Sequence, residues 1–320
     1  MAARFGYTLS SEEHPPSELV TNAVRAEDAG FAFATISDHF HPWVEAQGHS
    51  PFVWSTLGAV AARTRHLEVA TGVTCPIIRT HPAIIAHATA TTALLFDGRF
   101  SLGVGSGEAL NEHVLGHRWP TPEVRLAMLD EAVTVIRRLL TGDTVDHAGK
   151  FYKVENARLF DVPAAPVRLI VSGFGTAAAE LAGQIGDGYW GHGSDRETLA
   201  TYLSAGGTGP RYAQLNVCLG DDEDKCRETV HQIWPNAAMP GQLAQDLPTW
   251  THFQQVAELV GVDDVAAKVT CGPDLDAVVE QARTFVDAGY DHIHLHQIGP
   301  DQDALFDRWE RGLRDALAAI

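Results

Sequence analysis

An acid, two histidines and a tryptophan directly follow an apolar segment near the N-terminus. The segment 31–37 predicts a strand, and Asp38, His39, His41 and Trp43 come after it. In barrels of parallel strands, catalytic residues lie where strands end and loops begin. Asp38 and His39 could form a charge-relay or proton-transfer pair, and Trp43 offers a flat surface for a ring. A solvated loop turned by a proline is the alternative, which the spacing alone does not exclude.

A second polar site follows the predicted strand 100–104. There a glycine-rich turn over 103–107 ends in Glu108. Its spacing is GxGxG, not GxGxxG, and it falls in the fourth strand–helix unit, so a dinucleotide fold is not indicated. Glycine lets a backbone approach a flat ligand closely, which would place Glu108 beside that ligand. A tight turn with a solvated glutamate is the alternative.

A third turn, over 172–176, lies between a predicted strand and a predicted helix. It reads Ser-Gly-Phe-Gly-Thr. Free backbone amides at such a helix start attract anions, and a plain turn is the alternative.

Three histidines, His292, His294 and His296, alternate along the last predicted strand in a pattern that could bind metal. A barrel strand is packed on both faces and no carboxylate matches the offset, so we expect no metal there and place His296 near the pocket.

Strand and helix patterns alternate along the chain, which predicts a parallel sheet with right-handed crossovers. We expect about eight strands in an α/β (β/α)8 barrel, which by itself uses about 250 residues. The excess fits two insertions, a hairpin at 143–163 and an irregular segment at 233–265 that could cover a pocket. The chain 1–320 is therefore expected to be one domain.

Charge and composition exclude several classes of partner. The net charge is −18, which disfavours nucleic acid and anionic membrane surfaces. A local anion site at a helix start stays compatible with that charge. The N-terminus lacks the apolar core of a signal peptide, and the sequence has no apolar run of the roughly 18 residues that a span needs. Four cysteines without a CxxC pair fit the reducing cytoplasm.

Two segments resemble the signature of a known family. Asp38-His39 with Trp43, and the run Gly-Ser-Gly-Glu-Ala-Leu-Asn-Glu at 105–112, are similar to the coenzyme F420-dependent glucose-6-phosphate dehydrogenase group of the luciferase-like oxidoreductases. Segments 48–52, 71–76 and 296–302 are also similar, so the resemblance covers nearly the whole chain. It implies a luciferase-like barrel, a bound deazaflavin (coenzyme F420), a small-molecule substrate and a homodimer.

The resemblance also implies roles for individual residues. His39 would be the catalytic acid/base near the substrate hydroxyl, Glu108 the second proton-transfer residue, and Trp43 would border the reacting ring. Asp38 would contact the deazaflavin. The other implied cofactor-binding positions are Cys75, Ser106, Gly107 and Asn111 along the cofactor, Gly173, Phe174, Gly175, Ala177 and Ala178 around its phosphate, and a non-prolyl cis peptide at Gly72-Val73.

The substrate end departs from the family pattern. Sugar-phosphate enzymes of the group hold the substrate phosphate with a threonine and basic residues. Here the matching stretch reads His192-Gly193-Ser194-Asp195, so an acid replaces a lysine, although Lys268 could supply one positive charge. An acid facing a phosphate is repulsive. His192, Asp195, Lys268 and His296 are our candidate substrate residues.

These observations predict an enzyme that oxidises a hydroxyl of a sugar, sugar phosphate or other alcohol, with hydride transfer to F420. Run in reverse, the same chemistry would make a carbonyl reductase. An FMN-dependent monooxygenase on the same barrel is the second hypothesis. A non-catalytic deazaflavin carrier is the third, and the presence of Asp38, His39 and Glu108 argues against it, because a pure binder needs no acid/base pair.

Overall fold

The computed structural model describes residues 3–239 and 241–320. Within these two ranges the chain forms eleven β-strands: β1 (Arg4–Leu9), β2 (Phe33–Ile36), β3 (Glu68–Thr71), β4 (Phe100–Val104), β5 (Val145–Ala148), β6 (Lys153–Ala157), β7 (Arg168–Ser172), β8 (Gly188–Trp190), β9 (Arg211–Leu219), β10 (Thr270–Gly272) and β11 (His292–Gln297).

The same ranges hold fourteen α-helices: α1 (Pro16–Asp28), α2 (Val53–Arg63), α3 (Pro82–Leu95), α4 (Ala109–Glu112), α5 (Pro122–Leu140), α6 (Thr176–Ile185), α7 (Arg196–Ser204), α8 (Glu223–Ile233), α9 (Leu243–Asp246), α10 (Trp250–Ala257), α11 (Val262–Ala266), α12 (Leu275–Ala288), α13 (Asp303–Arg308) and α14 (Arg314–Ala318). Short 3-10 helices occupy Glu45–Gln47, His113–Leu115 and Pro235–Ala238, and Trp309–Leu313 is a π-helical segment. No helix in the described residues is both long enough and apolar enough to cross a membrane.

Eight parallel strands close into a barrel. The order is β11-β1-β2-β3-β4-β7-β8, and β9 pairs with both β8 and β11 to complete the ring. Strand β10 lies outside the ring and extends β9, with Thr270 opposite Val217. The predicted (β/α)8 barrel is therefore confirmed.

Local sequence signals explain where most elements begin and end. Helix α1 starts with Pro16 at its first turn, buries Leu19, Ala23 and Ala26, and is followed by Gly30 at φ 81°. Proline suits the first turn and glycine the residue after a helix. Helix α12 ends in the same way, because Gly289 takes the left-handed conformation at φ 108°.

The two insertions differ in how well the sequence describes them. Strands β5 and β6 form the antiparallel hairpin expected at 143–163. We expected the segment 233–265 to be irregular. This expectation is wrong, because the segment carries helices α9, α10 and α11. Two of its prolines stand at helix starts: Pro235 opens a 3-10 helix, and Pro248 precedes Thr249, which caps α10. We also missed α7 and β10, which are short.

Large side chains fill the interior of the barrel. Phe33, Trp190 and Tyr212 form a buried cluster there, with the last two rings stacked at 5.2 Å between centroids. His294 points into the interior, where its Nδ1 lies 2.7 Å from Thr8 Oγ1. Burial lowers the pKa of His294 to about 3, so this imidazole is neutral. The interior is packed, so a ligand site must lie at the carboxyl ends of the strands.

Candidate active site

His39 lies just beyond the carboxyl end of β2. The strand is fully buried from Phe33 to Ile36, and the chain becomes polar at Ser37. The His39 side chain is 11% exposed, and its ring forms a T-shaped pair with that of Trp43 at 5.0 Å between centroids. The expected juxtaposition of His39 and Trp43 at a strand end is therefore present.

A buried glutamate that we did not single out from the sequence stands beside His39. Glu12 follows β1, which pairs with β2, and its Oε1 lies 3.2 Å from His39 Nδ1. The two atoms are within ion-pair distance but not aligned as a hydrogen bond, so Nδ1 has no hydrogen-bond partner in the described chain. Ser37 Oγ donates to Glu12 Oε2 at 2.7 Å. Glu12 can thus orient the His39 ring.

Glu108 follows β4 and precedes α4. It is half-buried, and its side chain does not cap that helix. It therefore keeps a carboxylate available for a ligand. Gly107, before it, has φ 71°, a conformation that glycine adopts without steric cost.

The glycines around Glu108 serve packing within the chain. A Cβ on Gly103 would stand 1.9 Å from the carbonyl oxygen of Thr71, and one on Gly107 would stand 2.4 Å from Cys75 Sγ. A Cβ on Gly105 would meet Val73 at 2.8 Å. Our interpretation that these glycines make room for a ligand is not supported at these positions. Ser106 is half-buried between them.

The expected cis peptide is present at Gly72-Val73. Gly72 is also a close-packing position, since its Cβ would lie 2.5 Å from the ring of Trp190. Cys75 is buried, and burial raises the pKa of its thiol well above the ordinary value. The Cys75 side chain is therefore a neutral, buried packing group and not a nucleophile.

Asp38 belongs to a buried ion-pair network. Its Oδ2 accepts a hydrogen bond from Thr74 at 2.9 Å and its Oδ1 one from Arg79 at 2.8 Å. Arg79 also approaches Glu112, with Nε 3.5 Å from Oε1. Burial raises the pKa of Glu112 despite hydrogen bonds from two backbone amides and the nearby guanidinium. Both carboxylate oxygens of Asp38 already have partners inside the chain. A direct contact of Asp38 with a cofactor therefore stays a prediction.

Asn111, on α4, holds the loop that carries His39. Its Oδ1 accepts hydrogen bonds from the backbone amides of Phe40 at 2.8 Å and His41 at 3.2 Å. Its Nδ2 is buried and has no partner in the described chain. A buried amide donor left without a partner costs free energy, so Nδ2 suits a ligand acceptor.

The start of α6 has the features of an anion site. Gly175 precedes the helix without a side-chain cap, and a Cβ there would meet nothing within 4 Å. Ala179 N donates to the Gly175 carbonyl, which leaves the amides before it to other acceptors. Phe174 and Ala177 are exposed and Ala178 is half-buried. Gly173 packs against Ala178 and Ala179, and its Cβ would lie 2.7 Å from Ala179 N.

Three of the candidate substrate residues lie near one another, because His192 feels the charges of Asp195 and Lys268. Asp195 caps α7, and its Oδ1 accepts from the backbone amides of Glu197 at 2.9 Å and Thr198 at 3.3 Å. His192 is exposed, with its ring 5.2 Å from that of Phe174, and Lys268 is exposed. His296 is instead buried and bonded to Glu13. Substrate roles for these four residues stay predictions.

The three histidines of β11 have separate partners. His292 Nδ1 lies 2.6 Å from Asp291 Oδ1, His294 meets Thr8 and Thr35, and His296 meets Glu13. In the described residues there is no group of three or more ligand-type side chains that could hold a metal ion.

Comparisons with known proteins agree with this geometry. A sequence model of the family described as luciferase-like monooxygenase matches residues 1–292. The chain is 34% identical over 330 residues to an F420-dependent glucose-6-phosphate dehydrogenase of Nocardia farcinica, covering 98% of each chain. It is 36% identical over 330 residues to the same-named protein of Nakamurella multipartita, covering 99% of this chain and 97% of the other.

A solved structure shows the same fold over almost the full length. It is an F420-dependent secondary alcohol dehydrogenase in complex with an F420-acetone adduct, with a TM-score of 0.92, 29% sequence identity and 99% of each chain covered. The resemblance noted at the two strand ends is thereby confirmed. The chain belongs to the luciferase-like monooxygenase family, within the group of the F420-dependent glucose-6-phosphate dehydrogenases.

Proposed function

We propose that this chain is an F420-dependent dehydrogenase that oxidises a substrate hydroxyl. The observation that carries the proposal is the pair His39 and Glu108, which follow the carboxyl ends of two barrel strands. Neither side chain has a hydrogen-bond partner in the described residues. The names of the full-length relatives support F420 as the cofactor.

His39 acts as the acid/base. Its imidazole takes the hydroxyl proton as the C–H bond is oxidised, since a histidine titrates close to neutral pH. The Glu12 carboxylate lies 3.2 Å from Nδ1 and holds the ring in place. Glu108, which precedes α4, supplies a second proton-transfer group. Trp43 holds the His39 ring edge-on and limits access of water to it.

The residues present fit a deazaflavin. When bound, that cofactor accepts a hydride as a two-electron carrier. The unpartnered Nδ2 of Asn111 is available to an acceptor on its ring, and the amides at the start of α6 to its phosphate. The open space at Gly175 leaves those amides accessible.

Reduction of F420 by an alcohol tests the proposal directly. Purified protein is mixed with oxidised F420 and a panel of secondary alcohols and sugars, and bleaching of the deazaflavin absorbance is followed. Bleaching that depends on both alcohol and protein is expected. Absence of bleaching, together with FMN that co-purifies with the protein, would favour the monooxygenase. Faster oxidation of reduced F420 by ketones would favour the carbonyl reductase.

Helix α3 supports a homodimer. Its outer face exposes Ile84, Leu94 and Leu95, and its sequence, PAIIAHATATTALL, contains no Asp, Glu, Lys or Arg. An apolar face of this kind is expected to be covered, and a second copy of the chain is the occupant we propose.

We propose the cytoplasm as the compartment, because all four cysteines are free thiols, as a reducing compartment keeps them.

A further inference from the structure

The Trp43 ring lies between His39 and the inside of the insertion 233–265. It forms one T-shaped pair with His39 and another with Phe253, each at 5.0 Å between ring centroids. Phe253 belongs to α10 and is fully buried. A continuous row of three rings therefore leads from the interior of the insertion to the imidazole that we propose as the acid/base.

Phe253 packs in a small apolar cluster that reaches both loops of the site. The buried members of this cluster are Val44, Leu110, Met239, Phe253 and Ala257. Val44 lies in the loop that carries His39, whereas Leu110 lies in α4, which follows Glu108. The other three residues come from the insertion. The insertion therefore packs against both of the loops that carry the proposed proton-transfer residues.

The insertion is also tied to the barrel through α9. Arg125 of α5 donates a hydrogen bond from Nη2 to Gln245 Oε1 at 3.0 Å, and Trp119 Nε1 donates one to Asp246 Oδ1 at 3.1 Å. The Arg125 side chain is 2% exposed, and its guanidinium lies 4.4 Å from the centroid of the Trp119 ring. These contacts fix the position of α9, which directly precedes α10.

Hydrogen bonding fixes the backbone of Trp43 but not its ring. The backbone amide of Trp43 donates to Gln47 Oε1 at 2.8 Å, which leaves rotation of the side chain to be limited by its neighbours. Phe253 is one of these neighbours, and a second apolar cluster that includes Trp234 is another. Both lie in the insertion. The orientation of the Trp43 ring toward His39 is thus set largely by the insertion.

We propose that Phe253 is a positioning residue for oxidation of the substrate hydroxyl, because it holds the Trp43 ring against His39. The inference rests on the proposed acid/base role of His39. Without the bulk of Phe253, the Trp43 ring can tilt away and release the imidazole, and a displacement of about 1 Å can lower a rate by about 10²-fold. Since Phe253 is fully buried, it acts through Trp43 and touches neither substrate nor cofactor.

Phe253→Leu reduces the volume behind Trp43 and keeps this position apolar. We expect kcat for alcohol oxidation with F420 to fall by about 10- to 100-fold, while F420 affinity stays at the wild-type value, because the anion site at α6 is separate. Steady-state kinetics and calorimetry measure the two quantities. Unchanged kcat, or a loss confined to F420 affinity, would overturn the inference. Phe253→Met, with a side chain that adapts to irregular space, replaces the leucine variant if that variant does not fold.

Phe96→Leu is the matched control. Phe96 is also fully buried, and it caps the end of α3, just before β4 begins. It therefore lies at the end of the barrel opposite to Glu108, which follows β4. The change removes the same atoms as Phe253→Leu and should leave kcat unchanged. An equal fall in kcat in both variants would overturn the inference, since it would reflect a general loss of packing.

A double variant separates an effect through Trp43 from an independent one. Changes at two residues that act through one contact are not additive. We therefore expect Trp43→Phe combined with Phe253→Leu to have the same kcat as Trp43→Phe alone. Losses that multiply in the double variant would overturn the inference, because Phe253 would then act by another route.

Tryptophan fluorescence tests the contact without turnover. The chain has seven tryptophans, so the emission of Trp43 is obtained by subtracting the spectrum of Trp43→Phe from that of the wild type, and likewise with Phe253→Leu present in both proteins. We expect Phe253→Leu to shift the Trp43 emission to longer wavelength and to increase its quenching by acrylamide, because the ring becomes more accessible to water.

The fluorescence result distinguishes failure of the inference from failure of the proposed function. Unchanged emission and quenching of Trp43 in Phe253→Leu would overturn the inference, whether or not alcohols reduce F420. If the emission of Trp43 changes as expected but no alcohol bleaches F420 with the wild-type protein, the result counts against the proposed function alone.

Discussion

Glu12 reaches His39 from the neighbouring strand end, and this contact defines the residue-scale chemistry of the site. The buried carboxylate lies 3.2 Å from Nδ1, so a proton taken up by the imidazole meets a counter-charge. The polar run Ser10-Ser11-Glu12-Glu13-His14 follows β1 just as Asp38 and His39 follow β2. The same strand-end criterion, applied to the first strand, would have found Glu12.

Replacing His39 by alanine removes the acid/base while leaving the walls of the site in place. We expect kcat to fall by about 10²- to 10⁴-fold, the usual contribution of a positioned proton-transfer group. Cofactor affinity should change little, because the anion site at α6 is separate. Steady-state kinetics and a fluorescence titration measure the two quantities.

His66→Ala is the matched control for that experiment. His66 is exposed and precedes β3, at the opposite end of the barrel. Near-normal kcat in His39→Ala, or an equal loss in His66→Ala, would contradict the assignment.

At the scale of elements, Asp291 ties β9 to β11 at the amino-terminal end of the barrel. Its carboxylate accepts hydrogen bonds from the Arg211 backbone amide at 2.8 Å and from Arg211 Nε at 2.9 Å. Burial opposes the charged form, but hydrogen bonds from His292 and Arg211 outweigh it and lower the pKa of Asp291. A depressed acid pKa stabilises the fold above the unfolded-state value of about 3.9 and ceases to do so as the pH falls.

Asp291→Asn should therefore lower the free energy of unfolding by about 2 kcal/mol near pH 6. The difference from wild type should shrink as the pH falls below about 3.9, where the unfolded wild-type carboxyl takes up a proton, and vanish below the lower pKa of the folded state. Denaturant unfolding at a series of pH values measures this. Asp303→Asn, at an exposed ion pair with Arg25, should show almost no effect, and a pH-independent loss in Asp291→Asn would contradict the electrostatic account.

Helix α3 carries the element-scale prediction for assembly. Ile84 is 58% exposed on its apolar outer face, so Ile84→Glu would bury a charge if that face meets a second copy. We expect light scattering to give about twice 34.6 kDa for the wild type and a mass near 34.6 kDa for the variant. Leu259→Glu, at a residue 84% exposed on the insertion, should leave the mass unchanged.

A wild-type mass near 34.6 kDa at micromolar concentration would exclude the dimer. A variant that stays at the wild-type mass would instead exclude α3 as the interface.

Cofactor choice is a property of the whole molecule, because it depends on net charge as well as on the site. F420 has an acidic tail, which a chain of charge −18 repels at long range. Salt limits that repulsion beyond about 8–10 Å, and the exposed start of α6 lets the tail point into solvent. We expect F420 to bind at least tenfold more tightly than FMN, by about 1.4 kcal/mol.

Titration of the protein with each cofactor measures the difference through tryptophan quenching. Trp43 stands at the site, so Trp43→Phe should remove most of the quenching without abolishing binding. Equal affinities, or FMN that co-purifies with the chain, would overturn the choice of F420.

The sequence by itself determined the barrel and the two strand ends that carry His39 and Glu108. These features depend on local signals: hydrophobic periodicity, prolines at helix starts, glycines after helix ends, and a change from apolar to polar where a strand stops. Each signal lies within a short window of sequence, so it can be recognised before any tertiary contact is known.

Only the tertiary structure decided which charged groups meet. Glu13 pairs with His296 across 283 positions of the chain, and Arg79 joins Asp38 to Glu112. We interpreted the glycines of the turn 103–107 as room for a ligand, but the space beside them is occupied by Thr71, Val73 and Cys75. The physical reason is that barrel closure brings distant strand ends together, and the direction of each buried side chain is then set by packing that no local pattern encodes.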